Sequence, residues 1–422
     1  MRFLRNNIGL FLCVFLIGNI NAQISISNTA PNNGAVFLVN NILTGNGVAV
    51  SNISFTGSNQ QIGAFISGNS IGMDSGIVMS SGHALDADLG GSPGSFNTPI
   101  SGIQCATNPN TTCNDLYSVA NSVPPLVGQG FSVSNINDMC VLEFDFVPES
   151  DTLRFNYSFG SEEYLTYVNS QFNDVFGFFI SGPGITGPYS SPPGFPNGSQ
   201  NIAVVPNSNP LLPITVSSVH PGYNGQYYNI GNTTISYNGY TDVFTALAIV
   251  QPCETYHIRL AIADGSDDYL DSGVFLEAKS FSSPIIAVSA YGVNLASDSL
   301  EIPCNSTIDL EASISGIYDI LWNTGDTTEI INVGQGQYFF SISNGSCVLY
   351  SDSIVIYELS DLDVSSTESS PSCFTFSDGS IDLLVSGGVS SYSYSWIGPN
   401  GFSSASEDLS GLVSGTYDVI VT

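Results

Sequence analysis

Carboxylate side chains crowd one short segment of the sequence at a density typical of cation-binding loops. Asp264, Asp267, Asp268 and Asp271 lie within eight residues of one another. Carboxylates this close repel one another unless water or a cation neutralises them, and calcium takes roughly six to eight oxygen ligands. The segment is not an EF-hand, because Phe275 stands where that motif needs its bidentate glutamate. A calcium site of another kind is therefore the first hypothesis.

A second oxygen-rich group lies upstream, around Ser161. Adjacent residues of a strand face opposite ways, so only one of Glu162 and Glu163 is expected to join a common site. The interpretation that remains open beside calcium is a set of solvated turn residues, since Asp and Asn are ordinary turn formers. The predicted metal ligands, taken from both groups, are Glu162, Glu163, Asn173, Asp174, Asp264, Asp267, Asp268 and Asp271.

Enzymatic readings of the same residues are weaker. A glycosidase uses two carboxylates, a role for which Glu163 and Asp264 are available, but any acidic β-protein offers such pairs. The letters G-x-S-x-G occur at 68–72 and 90–94 without the following helix that a nucleophile elbow needs. His257 falls in a predicted strand, where a packed or surface histidine is expected. No catalytic residue is predicted.

Tyrosines offer a possible sugar-binding surface. The predicted ligand-binding residues are Tyr164, Tyr167, Tyr237 and Tyr240, which lie in Gly-, Asn- and Glu-rich stretches. Exposed tyrosine rings stack on sugars and their hydroxyls form hydrogen bonds. Packing within strands is the open alternative, because tyrosine is also a strand former.

The elements that would position these groups are β-strands. Short runs rich in Val, Ile, Phe, Tyr and Thr recur between Gly, Asn, Pro and Ser clusters, while hardly any window has helical periodicity. The clearest predicted strands are 141–147, 152–159, 175–181, 255–263 and 273–281. The sequence therefore predicts an all-β chain.

Charge restricts the partners of the protein. Of 422 residues, 36 are acidic and only 5 are Lys or Arg, which gives a net charge of −31. Phosphate binding needs a basic surface, so a nucleic-acid partner and an anionic membrane surface are excluded. Such a field concentrates divalent cations, and Ca²⁺ is the cofactor that we expect.

The first 22 residues are typical of an export signal. Arg2 and Arg5 precede an apolar run, and Ala22 closes the segment. No later stretch reaches the roughly 18 apolar residues needed to span a bilayer, so the mature chain is not expected to insert into a membrane. Export favours disulfides. The pairing predicted in the large domain is Cys105 with Cys113, as a short loop, and Cys140 with Cys253, by elimination.

The last third of the sequence contains a repeat. Cys304 is followed by Trp322 and Tyr338, and Cys373 is followed in the same order by Trp396 and Tyr417. A small immunoglobulin-like sandwich, with a buried Trp near an inter-sheet disulfide, explains this order, and it pairs Cys304 with Cys347. The second copy has no closing cysteine, so we expect either a longer protein or a free Cys373. The predicted domains are a signal at 1–22, a large β-domain at 23–283 and two modules at 285–358 and 359–422.

Several motifs of the large domain resemble the choice-of-anchor L domain family. They include IGMDSGIVMSSG at 71–82, FNYSFGSEEY at 155–164, FNDVFGFFISGPG at 172–184 and IADGSDDYLDSGVF at 262–275. The segment 378–422 resembles an SprB-type repeat of Bacteroidota surface adhesins, but it stops before the usual terminal Asn-Gly-Cys. These resemblances imply a large jelly-roll-like sandwich followed by two small immunoglobulin-like modules, at the outer cell surface, exported by the type IX route and related to gliding motility.

Three functions follow from the sequence. The first is an extracellular adhesin whose large domain binds a glycan, a surface or a protein while the modules act as a stalk. The second is a glycoside hydrolase on the same stalk, and the third is a calcium-braced structural spacer.

Overall fold

The first part of the chain folds into two stacked β-sheets because its strands carry apolar side chains at alternate positions. The computed structural model describes residues 24–87, 111–231, 235–284, 286–295, 299–314, 319–343, 348–388 and 391–422, so the predicted signal at 1–22 lies outside the described residues. The chain divides into two compact units, the first of which ends at Pro284.

The strands of the first unit are numbered β1 to β13. They are β1 (Ser25–Ser27), β2 (Val48–Thr56), β3 (Ile62–Ile66), β4 (Ser75–Ser80), β5 (Ile136–Pro148), β6 (Thr152–Ser161), β7 (Val175–Ser181), β8 (Gln200–Asn201), β9 (Tyr228–Ile230), β10 (Gly239–Thr241), β11 (Phe244–Ile249), β12 (Tyr256–Gly265) and β13 (Ser272–Glu277). One sheet has the order β1-β3-β4-β13-β6-β10-β9, with β11 also paired to β6, and the other has the order β2-β5-β12-β7-β8.

The core lies between these two sheets. Aromatic rings of β6 meet rings of β7, with 4.9 Å between the centroids of Phe155 and Phe178 and 5.6 Å between those of Tyr157 and Phe176. These side chains are fully buried. Burial of each such ring contributes roughly 1.5–3 kcal/mol, so the facing aromatic rows hold the sandwich together.

Two helices accompany the strands of this unit, α1 (Ala35–Phe37) and α2 (Thr111–Leu126). A π-helical turn, Leu38–Leu43, follows α1, and 3-10 turns lie at Asn59–Gln61, Gly68–Ile71, Ala84–Ala87 and Gly225–Tyr227. Leu116, Val119 and Ala120 of α2 pack on the outer face of the five-stranded sheet. The sequence analysis did not predict this helix.

The second unit contains only strands and one 3-10 turn, Pro399–Gly401, among its described residues. Its strands are β14 (Ala287–Ala290), β15 (Val293–Asn294), β16 (Ser299–Ile302), β17 (Ile308–Ser313), β18 (Asp319–Trp322), β19 (Ile330–Val333), β20 (Gly336–Tyr338), β21 (Phe340–Ser343), β22 (Val348–Tyr350), β23 (Ile354–Glu358), β24 (Asp363–Ser369), β25 (Gly379–Ser386), β26 (Tyr394–Ile397), β27 (Ser403–Ser404), β28 (Leu409–Leu412) and β29 (Asp418–Val421).

Each tryptophan of this unit lies in a separate small core. Trp322 is buried with Phe340, and Trp396 with Leu409 and Leu412. The two indole N–H groups make equivalent bonds, to the carbonyl oxygens of Thr328 and Ser406 at 2.8 and 2.9 Å. The all-β prediction, with a large sandwich followed by smaller β-sandwich modules, is confirmed.

Candidate functional site

Strands from both sheets of the first unit end together, and this end collects acidic residues. β12 ends beside Asp264, and in the ladder Asp264 lies opposite Asn137, at the start of β5. β6 ends at Ser161, which pairs with Ser272 at the start of β13, directly after Asp271. Antiparallel pairing therefore brings segments distant in sequence to one end of the sandwich. We call Glu162, Glu163, Asp174, Asp264 and Asp271 the acidic cluster.

Asp174 is the best-bonded member of the acidic cluster. It is fully buried just before β7. One carboxylate oxygen accepts the Gly265 backbone N–H at 3.0 Å, and the other accepts the Ser272 hydroxyl at 2.6 Å. Asp174 thus fastens the end of β12 to the start of β13.

Asn173, a predicted metal ligand, has a structural role instead. Its side-chain oxygen accepts the Ser217 backbone N–H at 3.1 Å, and its amide donates to the Ala120 carbonyl at 3.2 Å. Because both ends of the amide are used, Asn173 positions the loop and α2 in this structure.

Glu162 and Glu163 both point inward, contrary to the prediction that only one would. β6 ends at Ser161, so the alternation of strand side chains does not extend to these residues. Both are buried, with exposures of 4 % and 1 %. The Glu162 backbone N–H donates to the Asp271 carbonyl at 3.1 Å, which holds this turn against the start of β13.

Carboxylate oxygens of the acidic cluster lack partners. Within the described part of the chain, Glu162 Oε2, Glu163 Oε2 and both oxygens of Asp264 are buried without a hydrogen bond. The Ser81 hydroxyl lies close enough to lower the pKa of Asp264, but it donates to the Ser272 carbonyl, at 3.3 Å. Leaving charged groups in this state is costly, because an unpaired ion loses its hydration without compensation.

Burial and mutual repulsion raise the pKa of every member of the acidic cluster. Burial comes first in each case and raises the pKa of Glu162 to about 8, of Glu163 to about 10, of Asp174 to about 7 and of Asp271 to about 8. The pKa of Asp264 also lies well above its usual value, through burial and then the charges of Asp174 and Asp271. Hydrogen bonds lower the pKa values of Glu162, Asp174 and Asp264, but the charged neighbours that act on the five groups within the described ranges are all negative.

Two further carboxylates that the sequence analysis missed act on the acidic cluster. Asp138, which is buried with a φ of +47° at the start of β5, raises the pKa values of Asp264 and Asp271. Asp86 lies in the turn after β4 and raises the pKa values of Glu162 and Asp271. Only the pairing of strands brings them here, so no local motif could have revealed them.

The predicted loop ligands Asp267 and Asp268 differ from each other. Asp267 is half-buried with one oxygen unpartnered among the described residues, and it raises the pKa of Glu163. Asp268 is exposed. Asp271 packs directly against Gly82, where an added side chain would displace its carboxylate.

The chemistry of the acidic cluster suits a hard cation, although its present geometry is not that of a finished metal site. Buried, unpartnered carboxylate oxygens with no positive neighbour are a donor set of the kind that Ca²⁺ takes. As the side chains stand, no group of three or more His, Cys, Asp or Glu in the described ranges is arranged to hold a metal ion. Rotation of the unpartnered carboxylates would be needed.

The predicted sugar-stacking tyrosines are mostly internal. Tyr164 and Tyr237 are buried, with exposures of 2 % and 3 %. Tyr240 is half-buried and donates to the Ser70 carbonyl, and Tyr167 packs edge-on against Phe172. Tyr164 and Tyr237 therefore cannot stack on a ligand, and the packing alternative holds for them.

Two of the predicted disulfides are wrong. Cys140 is a free, buried thiol that donates to the Ser80 carbonyl at 3.4 Å, and Cys304 is also free. Cys113 and Cys253 are each disulfide-bonded. Cys105 and Cys347 lie outside the described residues. Elimination failed because β5 places Cys140 inside the core.

A second polar network, also missed from sequence, lies on the outer face of the five-stranded sheet; we call it the outer-face network. Arg259 of β12 forms an ion pair with Asp115 of α2, and Asp115 also accepts bonds from Ser190. His257 Nδ1 lies 2.8 Å from Asp145 Oδ1. Alternation along β12 could have placed His257 and Arg259 on one face, but their partners depend on α2 and on strand pairing.

These features describe a β-rich protein of modular construction, with a large acidic sandwich followed by small repeat-like cores. Residues 25–282 match the choice-of-anchor L domain family, and 365–401 match the SprB repeat. The chain belongs to the choice-of-anchor L domain family. Both matched modules are structural modules of surface proteins, so this is a cell-surface protein.

Solved structures add little to this assignment. The N-terminal four Ig domains of Dscam1 isoform 6.9 are 12 % identical over 41 % of this chain and 55 % of that one, with a TM-score of 0.18. For isoform 6.44 the identity is 11 % over 67 % and 76 %, with a TM-score of 0.19. Scores this low carry no argument. The match spans little more than half of the first of these structures. No curated protein matches the sequence.

No helix in the described ranges is both long and apolar enough to cross a membrane.

Proposed function

We propose that the chain is an extracellular adhesion protein whose first unit is a calcium-braced binding domain and whose second unit acts as its spacer. One observation supports calcium binding. Both carboxylate oxygens of Asp264 and one of Glu163 are buried without a hydrogen bond among the described residues. The charged residues that act on these two carboxylates, among those that the structure describes, are all negative. A cation from the medium would supply the missing charge.

The residues that would hold calcium are Glu162, Glu163, Asp264 and Asp271. Asp174 would keep its present bonds to Gly265 and Ser272, because these join β12 to β13. A bound Ca²⁺ would offset two of the negative charges of the acidic cluster and fasten the ends of both sheets. Binding to the folded state alone stabilises it by mass action, by about 2.7 kcal/mol when free calcium is about 100 times the Kd.

The test is thermal unfolding of the full chain in EDTA, in CaCl₂ and in MgCl₂. We expect CaCl₂ to raise the Tm of the first unit by several degrees, with a smaller effect of MgCl₂, which demands stricter octahedral geometry. Asp264→Asn should abolish the response. Asp268→Asn is the matched control, because Asp268 is exposed in the same loop, and it should respond as the unchanged protein does.

Equal Tm values in EDTA and CaCl₂ would remove calcium from the proposal. An equal response of the Asp264→Asn and Asp268→Asn variants would place the cation elsewhere. Adhesion itself is tested by retention of beads coated with the full chain on immobilised polysaccharides. No retention on any surface would favour the structural spacer, a function that the burial of Tyr164 and Tyr237 also supports.

A further inference from the structure

β11 forms an open edge of the eight-stranded sheet. Among the described strands it pairs only with β6, and no described residue bonds to the backbone groups on its other side. It contains no charged residue, proline or glycine. On the outer face of the sheet, Leu247 and Ile249 are 55 % and 67 % exposed. An exposed apolar strand edge is a template on which another strand can pair.

The other edges of the first unit have features that prevent such pairing. β1, β8 and β9 are only three, two and three residues long. The ladder of β2 is irregular between Ser51 and Ser54, where Asn52 has a φ of +52°. Short strands and bulges both blunt an edge. β11 has six residues in regular register with β6, so it is the described edge of this unit without such protection.

Two exposed cations lie beside β11. Arg154 is directly opposite Leu247 in the ladder between β6 and β11, so both side chains are on the outer face. The Arg154 backbone also pairs with Ser282, three residues after Lys279. Arg154 and Lys279 are exposed, and neither forms an ion pair with a described residue. Because Arg259 is buried in an ion pair, this edge presents the two free cations of the described chain.

A strand with matching properties lies in the second unit. β24 pairs only with β25 among the described strands, and all seven of its residues are exposed. It contains no proline or glycine. Asp363 of β24, with Asp382 and Leu384 of β25, belongs to the face of this sheet that is turned away from Leu383 and the core. β24 is therefore a second open edge, with carboxylates where β11 has cations.

Charge decides which strand fits the edge at β11. A second β11 would bring its own Arg154 and Lys279 to the first pair, and a basic partner would also bring like charges. The second unit, residues 285–422, contains many carboxylates and no Lys, Arg or His. A second copy of the chain supplies this unit wherever the protein is displayed on a cell.

We propose that β11 of one copy pairs with β24 of a second copy, so that full chains join head to tail at the cell surface. Main-chain hydrogen bonds would connect the two edges into one sheet. The apolar pair on β11 would extend toward Leu384, and the two cations would meet the carboxylates of Asp363 and Asp382. The inference goes beyond the proposed function, since it requires neither calcium nor a ligand.

The contact joins different surfaces of the two copies, so it does not close on itself and continues from copy to copy. A pair of short strands is small beside the roughly 1,200 Å² that stable complexes bury. We therefore expect a weak contact that gains strength through repetition on a crowded surface.

The test is sedimentation velocity of the full chain over a rising protein concentration, at physiological ionic strength and with EDTA present. Charges more than about 8 Å apart are largely screened under these conditions, so the general repulsion between acidic chains is reduced while close ion pairs remain. We expect the sedimentation coefficient to rise past that of a dimer, because each dimer keeps one free edge of each kind.

Two variants each block one edge. Ile249→Lys places a charge on β11, and Asp363→Lys brings a like charge to Arg154 and Lys279, so each variant alone should associate at least tenfold more weakly. An equimolar mixture should form a heterodimer and nothing larger, because the first variant keeps β24 and the second keeps β11. Ile66→Lys is the matched control, since Ile66 is 60 % exposed on β3, an inner strand, and it should associate as the unchanged chain does.

An unchanged chain that stays monomeric up to its solubility limit, or a mixture without heterodimers, overturns the proposal. Association of Asp363→Lys alone does so too, since it would mean that two copies of β11 pair. If Ile249→Lys does not fold, Arg154→Glu takes its place, because Arg154 is exposed at the same edge. The Tm response to CaCl₂ is measured separately, so failure of this inference leaves calcium binding untouched, and failure of calcium binding leaves this inference untouched.

Discussion

The acidic cluster and the outer-face network belong to the same sandwich, but only in the outer-face network are the acidic side chains paired with basic ones. In the outer-face network, Asp115 is paired with Arg259 and Asp145 with His257. In the acidic cluster, burial and like charges raise every pKa, and the charged neighbours in the described part of the chain are all negative. A chain with 5 Lys and Arg against 36 acidic residues cannot pair all its carboxylates. The acidic cluster is therefore where protons or a cation from outside must act.

The largest loss of stability is expected when Arg259, the cation of the outer-face network, is removed. Arg259→Met leaves Asp115, whose side chain is 4 % exposed, without its ion-pair partner. Breaking one side of a buried pair costs about 3–5 kcal/mol, and we expect that loss in urea unfolding. The double variant Asp115→Asn with Arg259→Met should recover part of it, and neither effect should depend on calcium. A loss below about 1 kcal/mol would show that the pair is not stabilising in this sense.

The pH dependence of the unfolding free energy of the metal-free protein also distinguishes the two regions. In the folded state the pKa values of Glu162 and Asp271 are about 8, whereas unfolded carboxyls titrate near about 4. Between these values the folded state binds more protons, so its stability falls as pH rises. In EDTA we expect the free energy of unfolding to drop by about 2–3 kcal/mol per pH unit between pH 5 and pH 8, because each of the two groups contributes about 1.4 kcal/mol per unit.

Calcium should flatten this slope, because a bound cation takes the place of the protons. The measurement is urea unfolding at pH 5, 7 and 9 in EDTA and in CaCl₂. Stability that rises over this range in EDTA would contradict the raised pKa values.

Substitution of Glu163 tests directly whether the acidic cluster, unlike the outer-face network, is destabilised by its own charge. Glu163→Gln removes a carboxyl whose pKa is raised to about 10, so in EDTA at pH 8 the variant should be more stable by about 1–2 kcal/mol. Substitution of a carboxylate that has a partner would instead lower the free energy of unfolding. The sign of the change therefore shows whether Glu163 is paired. Asp268→Asn, exposed in the neighbouring loop, should change the unfolding free energy by no more than about 0.5 kcal/mol. A less stable Glu163→Gln would indicate that Glu163 has a partner.

The smallest expected effect concerns His257. His257→Gln removes the bond to Asp145, which is 17 % exposed at its side chain, and the weak contact with Glu143 at 3.6 Å. We expect a loss of about 1 kcal/mol, equal in EDTA and CaCl₂. The same measurement in both buffers checks this, and a calcium-dependent difference would mean that the two regions are coupled.

The sequence predicted the strands well and the contents of the acidic cluster in part. Runs rich in Val, Ile, Phe, Tyr and Thr located β7 with its observed bounds, Val175–Ser181, and most of β6 and β12. α2 escaped notice, although Leu116, Val119, Ala120 and Val123 recur at helical spacing before Pro124 and Pro125. Clustering along the chain identified Asp264 and Asp271. Asp86 and Asp138 join through strand pairing, which local spacing does not encode.

The orientation of side chains beyond strand ends was the least predictable part. Glu162 and Glu163 were treated as strand neighbours, but β6 ends one residue earlier and both turn inward. Asn173 has a ligand's chemistry, yet α2 and Ser217 occupy both ends of its amide. Its role depends on a helix that the sequence analysis did not foresee.

The contact between Gly82 and Asp271 has a consequence for reading related sequences. A side chain at position 82 would meet the Asp271 carboxylate, which would have to turn away to admit it. The two positions should therefore vary together across homologues: where the acid at 271 is replaced by a smaller residue, alanine or serine becomes admissible at 82. An alignment in which bulky residues at 82 coexist with aspartate at 271 would mean that the acid lies elsewhere in those relatives.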